Sequence, residues 1–143
     1  MKQMIFIDSN IWCYYLDARL PKHGHVVEPL RSILKGSEVA INTVVAIEVA
    51  HYLTRNLDEQ EARDRIESFV NLSNMDIVNF DRALMNTALD YLARFGKTEG
   101  LGGRDSTIIA TLDKLRIETL LTHDKNLAAI VTKLGIKTMD PIP

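Results

Sequence analysis

The sequence predicts a three-layer α/β/α sandwich on a mainly parallel sheet, and three observations predict it. Short apolar runs alternate with longer amphipathic segments along the chain; the opening run Met4-Ile5-Phe6-Ile7 is continuously apolar; and polar residues follow the runs directly. Strands of a parallel sheet are covered on both faces, so they read as unbroken apolar stretches rather than as alternating ones. At 143 residues, with no Ser-, Gly- or Pro-rich tract, the chain is expected to form one domain over 1–143.

Taken in order, the first strand is Met4 to Ile7, and it runs into Asp8, Ser9 and Asn10. Ile11, Trp12, Tyr15 and Leu16 then fall at helical spacing. Val26, Val27, Leu30, Ile33 and Leu34 mark a second helix, with Gly36 placed as a left-handed stop. Glu38 to Ile41 is the second strand. From Asn42 or Thr43, either able to cap, TVVAIEVAHYL is apolar almost all round, which predicts a helix buried on more than one side with Glu48 in its middle. Asp58 and Glu61 form a capping-box-like start for a helix carrying Ala62, Ile66, Phe69 and Val70 on one face.

Asp76 to Phe80 is the third strand, after which Asp81 caps a helix with Met85, Ala88, Leu89 and Leu92 on one side. A glycine-rich loop, Gly96 to Gly103, leads to Arg104-Asp105 and a helix with Ile108, Ile109, Leu112 and Leu115 inward. The loop's Gly100-Leu101-Gly102-Gly103 stretch suits mobility or the close approach of another backbone. Glu118 to Thr122 is the fourth strand; Asp124 opens a helix holding Leu127, Ala128, Val131 and Leu134; Gly135 ends it. Ile136 to Met139 is the last strand.

A formal charge of −2 and a pI near 6.1 exclude binding of nucleic acid by bulk basicity. They leave room for a local basic rim, or for an acidic site neutralised by metal. The single cysteine, Cys13, has no partner for an internal disulfide and reads as a small core residue in a reducing compartment. No signal-peptide pattern and no apolar run of membrane-spanning length is present, so a cytoplasmic protein with no membrane partner is expected.

Four acids stand out by position. Asp8 and Asp124 each follow an apolar strand, where open α/β sheets place their sites, although either could also cap the next helix. Asp105, three and four residues before Ile108 and Ile109, lies over the buried face of its helix. Glu48 is mid-helix, so no cap explains it; an ion pair with an Arg or Lys from elsewhere, or a helix face open to water, would. Acids that converge repel by about 4 kcal/mol per pair at about 4 Å and an effective dielectric near 20. No lysine or arginine lies within these strand ends, whereas oxygen ligands are what Mg²⁺ or Mn²⁺ takes.

Other motifs have simpler explanations. Asp81 caps its helix, and Asp17, Asp58 and Asp90 read as surface acids. Glu48 and His51 have the spacing of a di-iron motif but lack its second copy. Gly96-Lys97-Thr98 echoes the end of a P-loop, yet Tyr91 stands where the earlier glycine belongs. His23, His25 and His123 lack zinc-spaced partners, and no serine occupies a nucleophile elbow.

The strand ending Asp8-Ser9-Asn10, the helical Glu48, Arg104-Asp105 opening an Asp-x-x-Ile-x-Ala helix, and Leu121-Thr122-His123-Asp124 together resemble the PIN-domain family. The likeness is strongest to its single-domain VapC-type toxins and spans nearly the whole chain. It implies a metal-dependent endoribonuclease in which Asp8, Glu48, Asp105 and Asp124 are catalytic and hold Mg²⁺ or Mn²⁺. Asn10 would support Asp8 or a water, and Ser9 and Thr122 would orient neighbouring acids. Arg104 and Lys125 are the first candidates for substrate phosphate, with Arg55 and Lys97 further out. The resemblance also implies a homodimer and an antitoxin that inserts a segment into the acidic groove. Two alternatives stand beside it: an inactive PIN-like module that binds RNA or protein, and a haloacid-dehalogenase-like phosphatase with Asp8 as nucleophile. The latter usually has a second aspartate where this chain has Asn10.

Overall fold

A computed structural model describes residues 3–143. The chain begins with β1 (Met4–Ile7), α1 (Ser9–Leu16), α2 (His23–Gly36), β2 (Glu38–Asn42), α3 (Thr43–Asn56) and α4 (Glu59–Val70). It continues with β3 (Met75–Val78), α5 (Arg82–Phe95), α6 (Gly103–Lys114), β4 (Thr119–Leu121), α7 (Lys125–Lys133) and β5 (Lys137–Met139). The strands form one sheet in the order β3-β2-β1-β4-β5, and every pairing is parallel. This is a three-layer α/β/α sandwich.

β1 is the central strand, and its Ile5, Phe6 and Ile7 are consecutive and all buried, as a strand covered on both faces requires. Burying each such side chain contributes about 1.5–3 kcal/mol, so this strand anchors the core. Trp12 of α1 packs edge-on against Phe69 of α4, ring centroids 4.9 Å apart, and its indole donates to the Ile7 carbonyl. Strands are added leftward from β1 through β2 to β3, and the chain then crosses to the other side of β1 to add β4 and β5. The strand order therefore reverses between β1 and β4, and at such a point the connections diverge and leave a crevice at the carboxyl ends. The Asp8 amide donates to the Leu121 carbonyl at 2.9 Å, joining the two strands at its edge.

Several expectations are corrected. Gly36 is the last residue of α2 and has no positive φ; the chain leaves through extended Ser37. Gly135 does take the left-handed conformation, with φ of 83°. The helix buried nearly all round is α6, where Ser106 and Ile108 to Leu112 are all buried, whereas α3 buries one stripe of Val45, Val49 and Leu53 and leaves Ile47 exposed. Apolar composition alone does not separate the two. In α5 Leu84 and Ala88 are buried and Leu92 packs against the core, while Met85 and Leu89 are exposed, so the inward face keeps Ala88 and Leu92 of the expected one and has Leu84 in place of Met85 and Leu89. Val70 and Leu115 are likewise exposed at their helix ends. The Gly96–Gly103 loop is anchored: Leu101 is buried, Glu99 pairs with Lys133 at 2.8 Å, and Asn126 donates to the Glu99 carbonyl. Among the described residues, no helix is long and apolar enough to cross a membrane.

Candidate active site

The carboxyl ends of β1 and β4 bring Asp8 and Thr122 together. Asp8 is completely buried and ends β1, where its extended backbone makes it the N-cap of α1. One carboxylate oxygen accepts the Ser9 amide at 2.7 Å, and the other accepts the Thr122 hydroxyl at 2.7 Å. The same Thr122 oxygen accepts the Asp124 amide at 3.0 Å. Thr122 thus ties the end of β4 to the end of β1. Cap and candidate site residue are one and the same side chain, so the two readings of Asp8 do not compete.

Glu48 reaches this point from the middle of α3, and Asp105 from the first turn of α6. The group between them is Arg104. Its Nη1 donates to Asp8 Oδ1 at 2.9 Å and to Glu48 Oε1 at 3.2 Å, and its Nη2 lies 2.8 Å from Asp105 Oδ1. Nη1 also lies 3.4 Å from the Ser9 hydroxyl. The cation that holds these acids together is therefore an arginine of the chain, one residue before the acid it helps to neutralise. This answers Glu48 by the ion pair from elsewhere, and it corrects the expectation that no basic side chain occupies the strand ends. Sequence position could not reveal it, because a guanidinium reaches well beyond the residues adjacent to its own Cα.

The electrostatics follow from burial. Removal from water pushes the Asp105 carboxyl up to about 6, and the charges of Asp124, Asp8 and Glu48 push in the same direction against Arg104. Glu48 is raised for the same first reason, with Arg104 opposing and Asp8 adding to it. For Arg104, burial disfavours the charge, but Asp8, Asp105 and Glu48 outweigh it and hold the guanidinium protonated above its ordinary value. Helix N-termini add to the field, since Asp8, Asp105 and Asp124 stand at the starts of α1, α6 and α7. Each such placement stabilises a carboxylate by about 0.3–1 kcal/mol.

Asp124 is arranged differently from the others. Its carboxylate caps α7 through the Asn126 and Leu127 amides at 3.0 and 3.1 Å, and it makes no contact with Arg104 among the described residues. Asn10 Oδ1 is buried without a hydrogen-bond partner among them, and so is Asp105 Oδ1, whose contact with Nη2 is outside hydrogen-bond geometry. Lys125 is exposed at the start of α7. Burial, with Glu48, Asp8 and Asp17 adding to it, pushes the Cys13 thiol up to about 12, so it stays protonated and is no nucleophile.

One cation at this sheet edge was not singled out by the sequence. Lys22 lies with Nζ 3.3 Å from His123 Nε2 and 5.4 Å from the Tyr14 ring centroid, while His123 Nδ1 is 2.9 Å from Asp140. The signal available was only the position of His123 between Thr122 and Asp124.

As a donor set, Asp8, Glu48 and Asp105 offer carboxylate oxygens alone, the chemistry that Mg²⁺ or Mn²⁺ takes, and the buried Asp105 Oδ1, ion-paired to Arg104 but without a hydrogen bond, is one such donor. The guanidinium of Arg104 stands between them. Among the described residues, no group of three or more His, Cys, Asp or Glu side chains is arranged to hold a metal ion.

A fold of this topology with acids at the β1/β4 crevice defines a class, and the comparisons name it. Residues 5–133 match the model of the PIN domain, and the chain belongs to the PIN-domain family. No curated protein matches. Among solved structures, the chain is similar to VapC20 of Mycobacterium tuberculosis, described as a sarcin-ricin-loop-cleaving toxin, at 21% identity and a TM-score of 0.75 over 88% of this chain and 94% of that one. It is similar to FitAcB from Neisseria gonorrhoeae at 22% identity and a TM-score of 0.74, covering 96% and 98%. A toxin-antitoxin complex from Klebsiella pneumoniae aligns at 22% identity and a TM-score of 0.65, covering 96% and 97%. At these identities the likeness is one of fold.

Proposed function

We propose that this PIN-domain protein is a Mg²⁺- or Mn²⁺-dependent endoribonuclease, the toxin of a toxin-antitoxin pair. The observation that carries the reading is the convergence of Asp8, Glu48 and Asp105 on one point at the β1/β4 crevice. Three acids drawn from three separate elements to one point serve no packing purpose, since each adds a desolvation cost. Asp8, Glu48 and Asp105 would hold the cation, with Asp124 at the edge of the group. The chemistry supplied by a bound divalent cation is activation of water and neutralisation of charge on the phosphodiester.

The chain's own residues supply the rest. Thr122 and the Ser9 amide fix both oxygens of Asp8, so its carboxylate is oriented before any ligand arrives. Ser9 and Asn10 continue that shell from the first turn of α1. Arg104 and Lys125 are the nearest cations for substrate phosphate, and a local rim is all that a chain of charge −2 can offer. RNA as substrate, a homodimer, and an antitoxin segment entering the acidic groove are the partners this reading carries. The description of one structural relative as a toxin-antitoxin complex supports an antitoxin partner.

The test is cleavage of structured RNAs by purified protein with Mg²⁺ or Mn²⁺ and with EDTA. Cleavage is expected with metal only, and Asp8→Asn or Asp105→Asn is expected to lower it at least a hundredfold, a loss of about 2.7 kcal/mol or more in transition-state stabilisation. Equal cleavage by both variants sinks the metal-acid mechanism.

A second reading, a non-catalytic module binding RNA or protein through the same crevice, is favoured by one observation: Arg104 already neutralises the acids. It gains if the wild type neither binds metal nor cuts any RNA. Membership of the PIN-domain family leaves the haloacid-dehalogenase-like phosphatase without support.

A further inference from the structure

The place where the acids meet is held by a positive charge built into the chain. Arg104 Nη1 is shared between Asp8 at the end of β1 and Glu48 of α3, and Nη2 reaches Asp105, so one guanidinium spans the acids a cation would need. A guanidinium carries one charge, is planar, and cannot be deprotonated at accessible pH. Its nitrogens stand 2.8 to 3.2 Å from the carboxylate oxygens, longer than the about 2.0–2.1 Å at which a small octahedral ion holds its ligands. This explains how the acids can converge without forming a group arranged for metal.

We infer that Arg104 is the resident counter-cation of this site and its determinant of metal affinity: a divalent cation binds by taking its place among Asp8, Glu48 and Asp105. The inference rests on the metal-dependent reading above and adds to it a competitor within the chain.

The side chain has a way out. Arg104 is the second residue of α6, its side chain is 30% exposed, and Glu48 beside it is 33% exposed, so the pair lies on the solvent side of fully buried Asp8. The long stem can carry the charged head into water while its methylenes stay against the protein. Two consequences follow from competition for one place. Removing the guanidinium strengthens metal binding, because the ion no longer displaces a partner. It also weakens the metal-free protein, because three carboxylates then face each other without a counter-charge. A residue that simply braced the fold would produce the second effect without the first.

The experiment measures Mn²⁺ binding to the full chain by the loss of the free-ion electron paramagnetic resonance signal, in wild type, Arg104→Gln and Arg104→Lys, with thermal unfolding of each recorded with and without the ion. Expected are at least tenfold tighter Mn²⁺ binding by Arg104→Gln, an intermediate affinity for Arg104→Lys, a lower Tm for metal-free Arg104→Gln, and a larger rise in that Tm on adding Mn²⁺ than wild type shows. In the wild type, Mg²⁺ titration followed by the Arg104 side-chain NMR resonance, assigned by its absence in Arg104→Lys, is expected to move that signal toward the position of a solvated arginine. This measurement does not require the Gln variant to fold. Equal or weaker Mn²⁺ binding by Arg104→Gln, or an Arg104 signal unmoved at saturating Mg²⁺, overturns the inference and leaves the nuclease reading intact. Absence of Mn²⁺ binding in wild type and both variants overturns the two together.

Discussion

Asp17 is an acid whose role is hidden from any one-dimensional reading. At the end of α1 it looks like a solvated surface carboxylate, yet it is 2% exposed. Arg19 closes on it with a backbone amide at 3.1 Å, Nε at 2.9 Å and Nη2 at 2.9 Å, and the Tyr52 hydroxyl donates to it at 2.8 Å from α3. Arg104 is the same case at the site: both arginines find acids that helical spacing does not pair with them. Residues whose partners are local, such as Asp58 accepting the Glu61 amide and Asp81 accepting the Leu84 amide, were legible in the sequence. Those held by side chains that fold back off the helical spacing, as Arg19 does on Asp17, or that come from distant elements, as Tyr52 and Arg104 do, were not. The hydrogen bonds from Arg19 hold the Asp17 carboxyl well below its ordinary value of 3.8, against burial, and Tyr52 reinforces them. A depressed carboxyl contributes stability that is present above pH 3.8 and lost as pH falls toward the folded-state value. Asp17→Asn is therefore expected to cost about 1–3 kcal/mol at neutral pH, the scale for a broken buried charged hydrogen-bond set. Urea unfolding across pH should show the gap between the two proteins constant from neutrality to about pH 4 and narrowing below it, following the Asp17 carboxylate as it protonates.

At the scale of elements, each strand was legible within a residue or two; β1, β2 and β4 carry short buried apolar runs, whereas the edge strands β3 and β5 are broken by exposed Asp76 and Lys137. Helix phase was less so. In α5, Leu84 and Met85 are adjacent and equally apolar, and only the position of α6 decides that Leu84 and Ala88 turn inward. Asn42 was legible as a cap of α3, which it is through the Val45 amide at 2.8 Å; its bonds to Thr107 and Thr111 of α6 were not. The end of α6 carries a cost that can be measured. Ile117 donates to the Leu112 carbonyl at 2.9 Å, closing the helix, and this requires Arg116 to take a positive φ of 54°. An arginine there is strained where glycine is not, and Ile117 is buried, so the turn has no freedom to relax. Arg116→Gly is expected to raise stability by about 0.5–1 kcal/mol after the entropy of the unfolded glycine is counted. Calorimetry should record a Tm higher by about 1–4 °C; an unchanged or lower Tm would show that the strain is not stored there.

For the molecule as a whole, the order of the strands is what makes a site from scattered acids, and strand order is not written in periodicity. The apolar runs are interchangeable as patterns; only the reversal between β1 and β4 brings Asp8 beside Thr122, at the sheet edge where Glu48 and Asp105 meet it through Arg104 from the helices. The same arrangement concentrates acids at the place proposed to receive a polyanion, on a chain whose formal charge is −2. Attraction for RNA must then come from few cations at the rim: Arg104, Lys125 and Lys22, the last held beside His123. Each phosphate neutralised on single-stranded RNA contributes about −0.7 to the slope of log affinity against log salt, so a rim of this size predicts a slope near −2. Fluorescence anisotropy with a labelled RNA, using Asp105→Asn to prevent cleavage, measures it directly. Lys125→Ala and Lys22→Ala are each expected to make the slope shallower by about 0.7 while weakening all RNAs alike, as phosphate contacts do. A slope of about −5 or steeper would require a broad basic face. The RNA would then lie on a surface other than the crevice where the acids meet.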